Sequence, residues 1–189
     1  PGAGDLLGRP ATRPEPQRPR ATAPSAPAAP APSTAPPAAA ARPAEPARQP
    51  NAGGEPTFGR VALAADFQPD PHRVEITAGG KDRVDGRLGA ECVGFIEASK
   101  PDFVLDYAAG QFDLFVYATS DADTAIVLRA PDGAWHCNDD GDNRGVDPTL
   151  RLRRPQSGRY AIWVSTVEGG ETDAELLISE ADPDPKRPK

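Results

Sequence analysis

The sequence predicts an all-β protein, a jelly-roll-like antiparallel β-sandwich of eight or nine strands preceded by a disordered Pro/Ala-rich tether. Three observations carry this. All eleven aromatic residues lie at or after Phe58, whereas fifteen of the 24 prolines lie at or before Pro56. Beyond Gly59, short runs of alternating apolar and polar residues recur between turn residues, the spacing of an all-β sandwich. Apolar residues at helical spacing form no convincing stretch.

Residues 1 to 57 contain Leu6 and Leu7 as their only large apolar side chains. Such a segment buries too little surface to offset a backbone entropy of roughly 1 to 2 kcal/mol per residue, so it is expected to be disordered. From Pro10 to Pro50 the composition favours polyproline II, and at ~3.1 Å per residue forty such residues span on the order of 120 Å. A compact domain is expected over 58 to 180, followed by a flexible charged tail over 181 to 189.

The strands are read in order. Arg73 to Thr77 sets Val74 and Ile76 on one face, Cys92 to Ile96 follows, and Phe103 to Ala108 precedes a turn at Ala109-Gly110. Asp113 to Thr119, Thr124 to Ala130 and Trp135 to Asn138 come next, then Leu150 to Arg153, Tyr160 to Thr166 and Ala174 to Ser179. One hairpin fixes a register. In Ala130-Pro131-Asp132-Gly133-Ala134, Pro suits the first central position of a type I turn and Gly the left-handed position that follows. Ala130 then faces Ala134, Ile126 falls near Asn138, and Thr124 falls near Asp140.

That register brings Asp121 and Asp123 to the end of the sandwich that carries Asn138, Asp139, Asp140 and Asp142, with Asp147 farther along the chain. Oxygen ligands in irregular loops suit Ca²⁺, which accepts six to eight of them at ~2.3 to 2.6 Å. The spacing is not that of an EF-hand: a loop starting at Asn138 puts Asn143 at the sharp-turn glycine and Thr149 at the bidentate glutamate. Two readings stay open, a calcium site centred on Asp140 or turn-forming residues that cap loops in an acidic domain.

Six Arg against four acidic residues up to Thr57 leave +2 there, and so −9 for the remainder of a chain of net charge −7. A domain this acidic repels phosphate backbones, which excludes nucleic acid and favours cations or uncharged surfaces as partners. Cys92 and Cys137 form no C-x-x-C, and two histidines are too few for a zinc site of ordinary spacing, so the pair is expected to be a disulfide in an oxidising compartment. No stretch approaches the ~20 apolar residues of a membrane span. The chain lacks Met and begins at Pro1, so removal of a signal peptide or anchor is expected.

Catalytic chemistry finds no motif. His72 lies in a Pro-Asp-Pro-His turn and His136 beside Cys137, with no Gly-x-Ser-x-Gly elbow near either. Trp135, Trp163, Tyr107, Tyr117 and Tyr160 could form a sugar- or peptide-binding platform, but a domain of this size needs most of its aromatics inside.

From Pro101 onward the chain resembles the bacterial pre-peptidase C-terminal (PPC) domain. The residues that carry the likeness are Asp102-Phe103-Val104-Leu105-Asp106-Tyr107, the Ala109-Gly110 turn, and the run from Thr124 to Gly133. Asn138-Asp139-Asp140 and the run from Pro155 to Val164 complete about 80 residues in matching order. The resemblance implies a jelly-roll-like sandwich that acts as a non-catalytic appendage in secretion, folding or attachment, with calcium bound in some members. The two cysteines and the stretch from Phe58 to Lys100 depart from that pattern. The reading that results is a tethered, non-catalytic module, secreted, periplasmic or anchored to the cell envelope, that binds another extracytoplasmic protein or cell-wall polymer. The alternative is an accessory domain of a secreted hydrolase or protease.

Overall fold

The computed structural model describes residues 49 to 84, 86 to 141 and 147 to 183. Most of the expected tether, residues 1 to 48, lies outside the described residues, as do Asp142 and residues 184 to 189 of the expected tail.

The described residues form a β-sandwich of eleven strands without helices. In chain order these are β1 (Arg60–Ala64), β2 (His72–Gly80), β3 (Asp82–Arg83), β4 (Phe95–Ile96), β5 (Phe103–Ala108) and β6 (Leu114–Ser120). They continue as β7 (Thr124–Arg129), β8 (Trp135–Asn138), β9 (Thr149–Leu152), β10 (Gly158–Thr166) and β11 (Gly170–Ser179). A seven-stranded sheet runs β1-β5-β10-β4-β3, with β7 on the other flank of β10 and β8 beyond it; the second sheet runs β2-β11-β6-β9. Two strands, β1 and β3, exceed the expected set. Val61 and Leu63 of β1 alternate inward, but the strand is a five-residue edge that pairs in parallel with β5, the one parallel pair among the described strands. β3 is only two residues long and depends on β4 for its pairing.

Alternation along the strands builds the main core. Val116 and Ala118 on β6, and Leu176 and Ile178 on β11, face Ile126 and Leu128 on β7 and Ile162 and Val164 on β10 across the two sheets. All eight are fully shielded from solvent. Burial of each large aliphatic side chain contributes about 1.5 to 3 kcal/mol.

A second, smaller core lies on the opposite face of the seven-stranded sheet. Val127, Ala161 and Trp163 point away from the main core and are covered by Val84, Cys92, Ile96 and Ala98 from the segment between β2 and β5. Trp163 is completely buried, and its indole N–H donates to the carbonyls of Glu97 (3.1 Å) and Lys100 (2.7 Å). The Cys92–Cys137 disulfide ties this cover to β8, closing a sequence separation of 45 residues. The expected pairing is therefore present, and it fastens a lid of chain over a sheet face that would otherwise expose tryptophan.

Residues 49 to 57, which composition groups with the tether, run along the domain. Asn51 N donates to Ala98 O (2.8 Å), Thr57 N to Pro101 O (2.9 Å), and Arg159 Nη2 to Gly54 O (3.1 Å).

Candidate functional site

The β7–β8 hairpin has the register expected from its turn. Ala130 N donates to Ala134 O (2.9 Å) and Gly133 N to Ala130 O (3.0 Å), while Gly133 takes a φ of 87° that a side chain would resist. Arg129 pairs with Trp135 and Ile126 with Asn138. Asp121 and Asp123, in the β6–β7 turn, thus reach the end of the sandwich that carries Asn138, Asp139 and Asp140.

Electrostatics link these loops. The Asp123 carboxyl is pushed up by burial and then by the negative charges of Asp140, Asp139 and Glu168. Other polar atoms there serve the loops themselves: Asn138 Oδ1 accepts from Thr149 N (2.6 Å) and Asp147 Oδ1 from Ser120 N (3.4 Å). Asp142 lies outside the described residues. Among the described residues no group of three or more His, Cys, Asp or Glu side chains is gathered to hold a metal ion. Thr124 Oγ1, at the start of β7, is buried and has no hydrogen-bond partner among the described residues.

A different feature escaped sequence reasoning. An open groove of about 740 Å³ crosses the outer face of the four-stranded sheet, lined by Glu75 and Thr77 of β2, Asp173 and Glu175 of β11, Thr119 of β6, and Asp121 beyond it. Glu75 and Glu175 sit directly opposite each other in the β2–β11 ladder. Like charges so placed destabilise a sheet, and among the described residues Glu175 alone of the two has an ion-pair partner, Arg73 Nη1 at 2.8 Å. The alternation that sends Val74, Ile76, Ala174 and Leu176 inward is what aims these carboxylates outward. The signal was present in that alternation, but the pairing of β2 with β11 joins segments about a hundred residues apart. Farther along the same face, Phe115, Tyr117 and Leu177 form a third apolar cluster, with the Arg151 guanidinium 5.5 Å from the Phe115 ring centre.

The aromatic platform is not assembled. Tyr107, Tyr117, Tyr160 and Trp163 are buried, and Trp135 is half-buried against Trp163, with ring centres 5.7 Å apart and the Arg129 guanidinium 4.9 Å from its own. Three serines of the strands and turns are occupied by main chain: Ser165 Oγ donates to Val93 O (2.8 Å), Ser179 Oγ to Ala181 O (3.0 Å), and Ser157 Oγ accepts from Ala109 N (2.9 Å). None of these contacts involves a histidine.

Among the described residues no helix is long and apolar enough to cross a membrane. No protein-family model matches the chain, and no curated protein does. Among solved structures it is similar to PliG of Aeromonas hydrophila, a periplasmic lysozyme inhibitor of g-type lysozyme, at 16% identity and a TM-score of 0.36 over 64% of this chain and 96% of that one. It is also similar to a mutant of the corresponding inhibitor from Escherichia coli, at 13% identity and a TM-score of 0.34 over 64% of this chain and 97% of that one.

Proposed function

We propose that this chain is a non-catalytic extracytoplasmic binding module whose four-stranded sheet presents an acidic outer face to a cationic surface of another protein. The observation that carries the reading is the groove in which Glu75 and Glu175 face each other beside Asp173 and Asp121. A partner's Lys or Arg placed between the two glutamates would convert a repulsive pair into an attractive one, and charges arranged this way raise association rates more than affinity. The disulfide supports an oxidising compartment, and the composition of residues 1 to 48 supports a spacer that carries the domain away from its point of attachment.

Calcium is a second reading, for the end of the sandwich rather than the groove. The crowding of Asp123 by Asp139 and Asp140, together with the unpartnered Thr124 hydroxyl, supports it.

The test measures binding of the full chain to a panel of extracytoplasmic proteins of differing charge, by surface plasmon resonance at two salt concentrations and with calcium or chelator. A g-type lysozyme belongs in the panel because the similar structures are inhibitors of that enzyme. The expected result is a cationic partner whose association slows with salt and whose affinity falls about tenfold or more for Glu75→Gln/Glu175→Gln, on the scale of a lost charged contact. Binding to none of the panel, or binding indifferent to that pair of substitutions, would overturn the groove reading. A melting midpoint raised by calcium and unresponsive in Asp140→Asn supports the metal reading, and a midpoint that ignores both calcium and chelator removes it.

A further inference from the structure

We propose that the pocket between the β7–β8 turn and the β9–β10 connection binds a small oxyanion, a carboxylate or phosphate carried on a compact ring or short chain. The site is independent of the acidic groove. It lies at the end of the sandwich away from Asp123 and Asp140, and its volume of about 170 Å³ is below the ~300 to 1,000 Å³ typical of drug-sized ligands.

Charge is the first argument. In a domain that is otherwise strongly acidic, Arg151, Arg153, Arg154 and His136 line this pocket with Asp132 as the one carboxylate among its lining residues. The nearby acids are already engaged. Asp113 Oδ2 accepts from Nε and Nη2 of Arg151 at 2.8 and 2.6 Å, and Asp113 Oδ1 accepts from Arg154 N at 3.2 Å. Asp132 Oδ1 accepts from Ala134 N (2.8 Å), and its Oδ2 accepts from Gln156 Nε2 (3.3 Å). Arg153 and Arg154 are exposed, and among the described residues neither has a carboxylate within ion-pair distance. Two guanidinium forks therefore remain available, and such forks match carboxylate and phosphate oxygens in pairs.

Backbone conformation is the second argument. Arg154 has a φ of 50°, a left-handed conformation that a side-chain-bearing residue adopts only at an energetic cost. A glycine would hold this turn without that cost. Instead an arginine sits there, with its main-chain N–H held by Asp113, so the turn is fixed where Arg154 lines the pocket. Ala130, Pro131, Leu152 and Pro155 add apolar lining beside the arginines. A ligand with one oxyanion on a ring-shaped or partly apolar body suits a lining of both kinds.

The experiment is an NMR titration of the full ¹⁵N-labelled chain with glucuronate, with inorganic phosphate and with neutral N-acetylglucosamine. The expected result is movement of the Gly133, His136, Arg153 and Arg154 amides with one or both anions and not with the neutral sugar. Stronger binding of glucuronate assigns the site to acidic sugars, and stronger binding of phosphate assigns it to phosphate esters. Arg153→Gln/Arg154→Gln should weaken binding at least tenfold. Arg154→Gly separates binding from folding, because its melting midpoint should not fall while its affinity does. The proposal is overturned if neither anion moves these amides, if the neutral sugar moves them equally, or if the arginine substitutions leave affinity unchanged.

Discussion

At the scale of single residues, Asp102 is the buried group with the largest consequence. Its side chain is 3% exposed and its Oδ2 accepts from Val164 N at 2.8 Å, at the point where β10 has left its pairing with β5 and has not yet met β4. The carboxyl thus takes the place of a strand partner. Burial pushes its pKa up from 3.8 to about 7, against the opposing effects of the Val164 N–H and Lys100. The native state then keeps its proton to about pH 7 whereas the unfolded chain gives it up near pH 4. Between those values the native state binds more protons, so stability falls as pH rises through that window and levels off above it. At about 1.4 kcal/mol per pH unit, the loss from this group is on the order of 4 kcal/mol. Asp102→Asn keeps an oxygen for the Val164 N–H and cannot ionise. Denaturant melts from pH 4 to pH 8 should show a flatter profile for it than for the parent chain, and parallel profiles would mean that Asp102 is not the group that titrates.

At the scale of elements, the local periodicities were legible and the long-range partners were not. β5 and β8 begin and end where alternation and turn residues place them, and the β7–β8 register follows from Pro131 and Gly133 alone, because a short turn leaves few ways to align its arms. β1 was missed because Arg60 to Ala64 carries only a weak alternation and takes its hydrogen bonds from a strand more than forty residues away. The cysteines announced a disulfide, but not its purpose. That emerges only when Val127, Ala161 and Trp163 are seen to face away from the main core, leaving the segment carrying Cys92 as their cover. A closure of this length restricts the unfolded chain by roughly 4 kcal/mol in the loop-entropy model, and the Trp163 bonds to Glu97 and Lys100 depend on the same cover. The Cys92→Ser/Cys137→Ser chain should therefore melt lower by on the order of 10 °C and show red-shifted tryptophan emission before its far-ultraviolet β signal is lost. Simultaneous loss of both signals at an unchanged midpoint would show that the disulfide does not hold the cover.

At the scale of the whole molecule, composition and hydrogen bonding divide the chain at different places. Composition changes at Phe58, where aromatic residues begin. The hydrogen-bonded body starts earlier, since Asn51 holds Ala98 through its main chain and Ser99 through its side-chain amide at 3.1 Å. Ala52 packs against the second core, and Gly54 meets Arg159 from β10. Composition says little of this, because most of these contacts use main-chain N–H and C=O groups of residues 49 to 57 rather than large apolar side chains. They also fall on the cover that the disulfide fastens, so the end of the expected tether and the Cys92 segment stabilise each other. Each such bond contributes about 1 kcal/mol net, so losing several of them should cost 2 to 3 kcal/mol. Two truncated chains test this directly. One that begins at Gln49 should melt about 5 to 10 °C above one that begins at Phe58, on the usual scaling for a domain of this size. Equal midpoints would mean that residues 49 to 57 only lie along the surface, and that the stable body begins where the aromatics do.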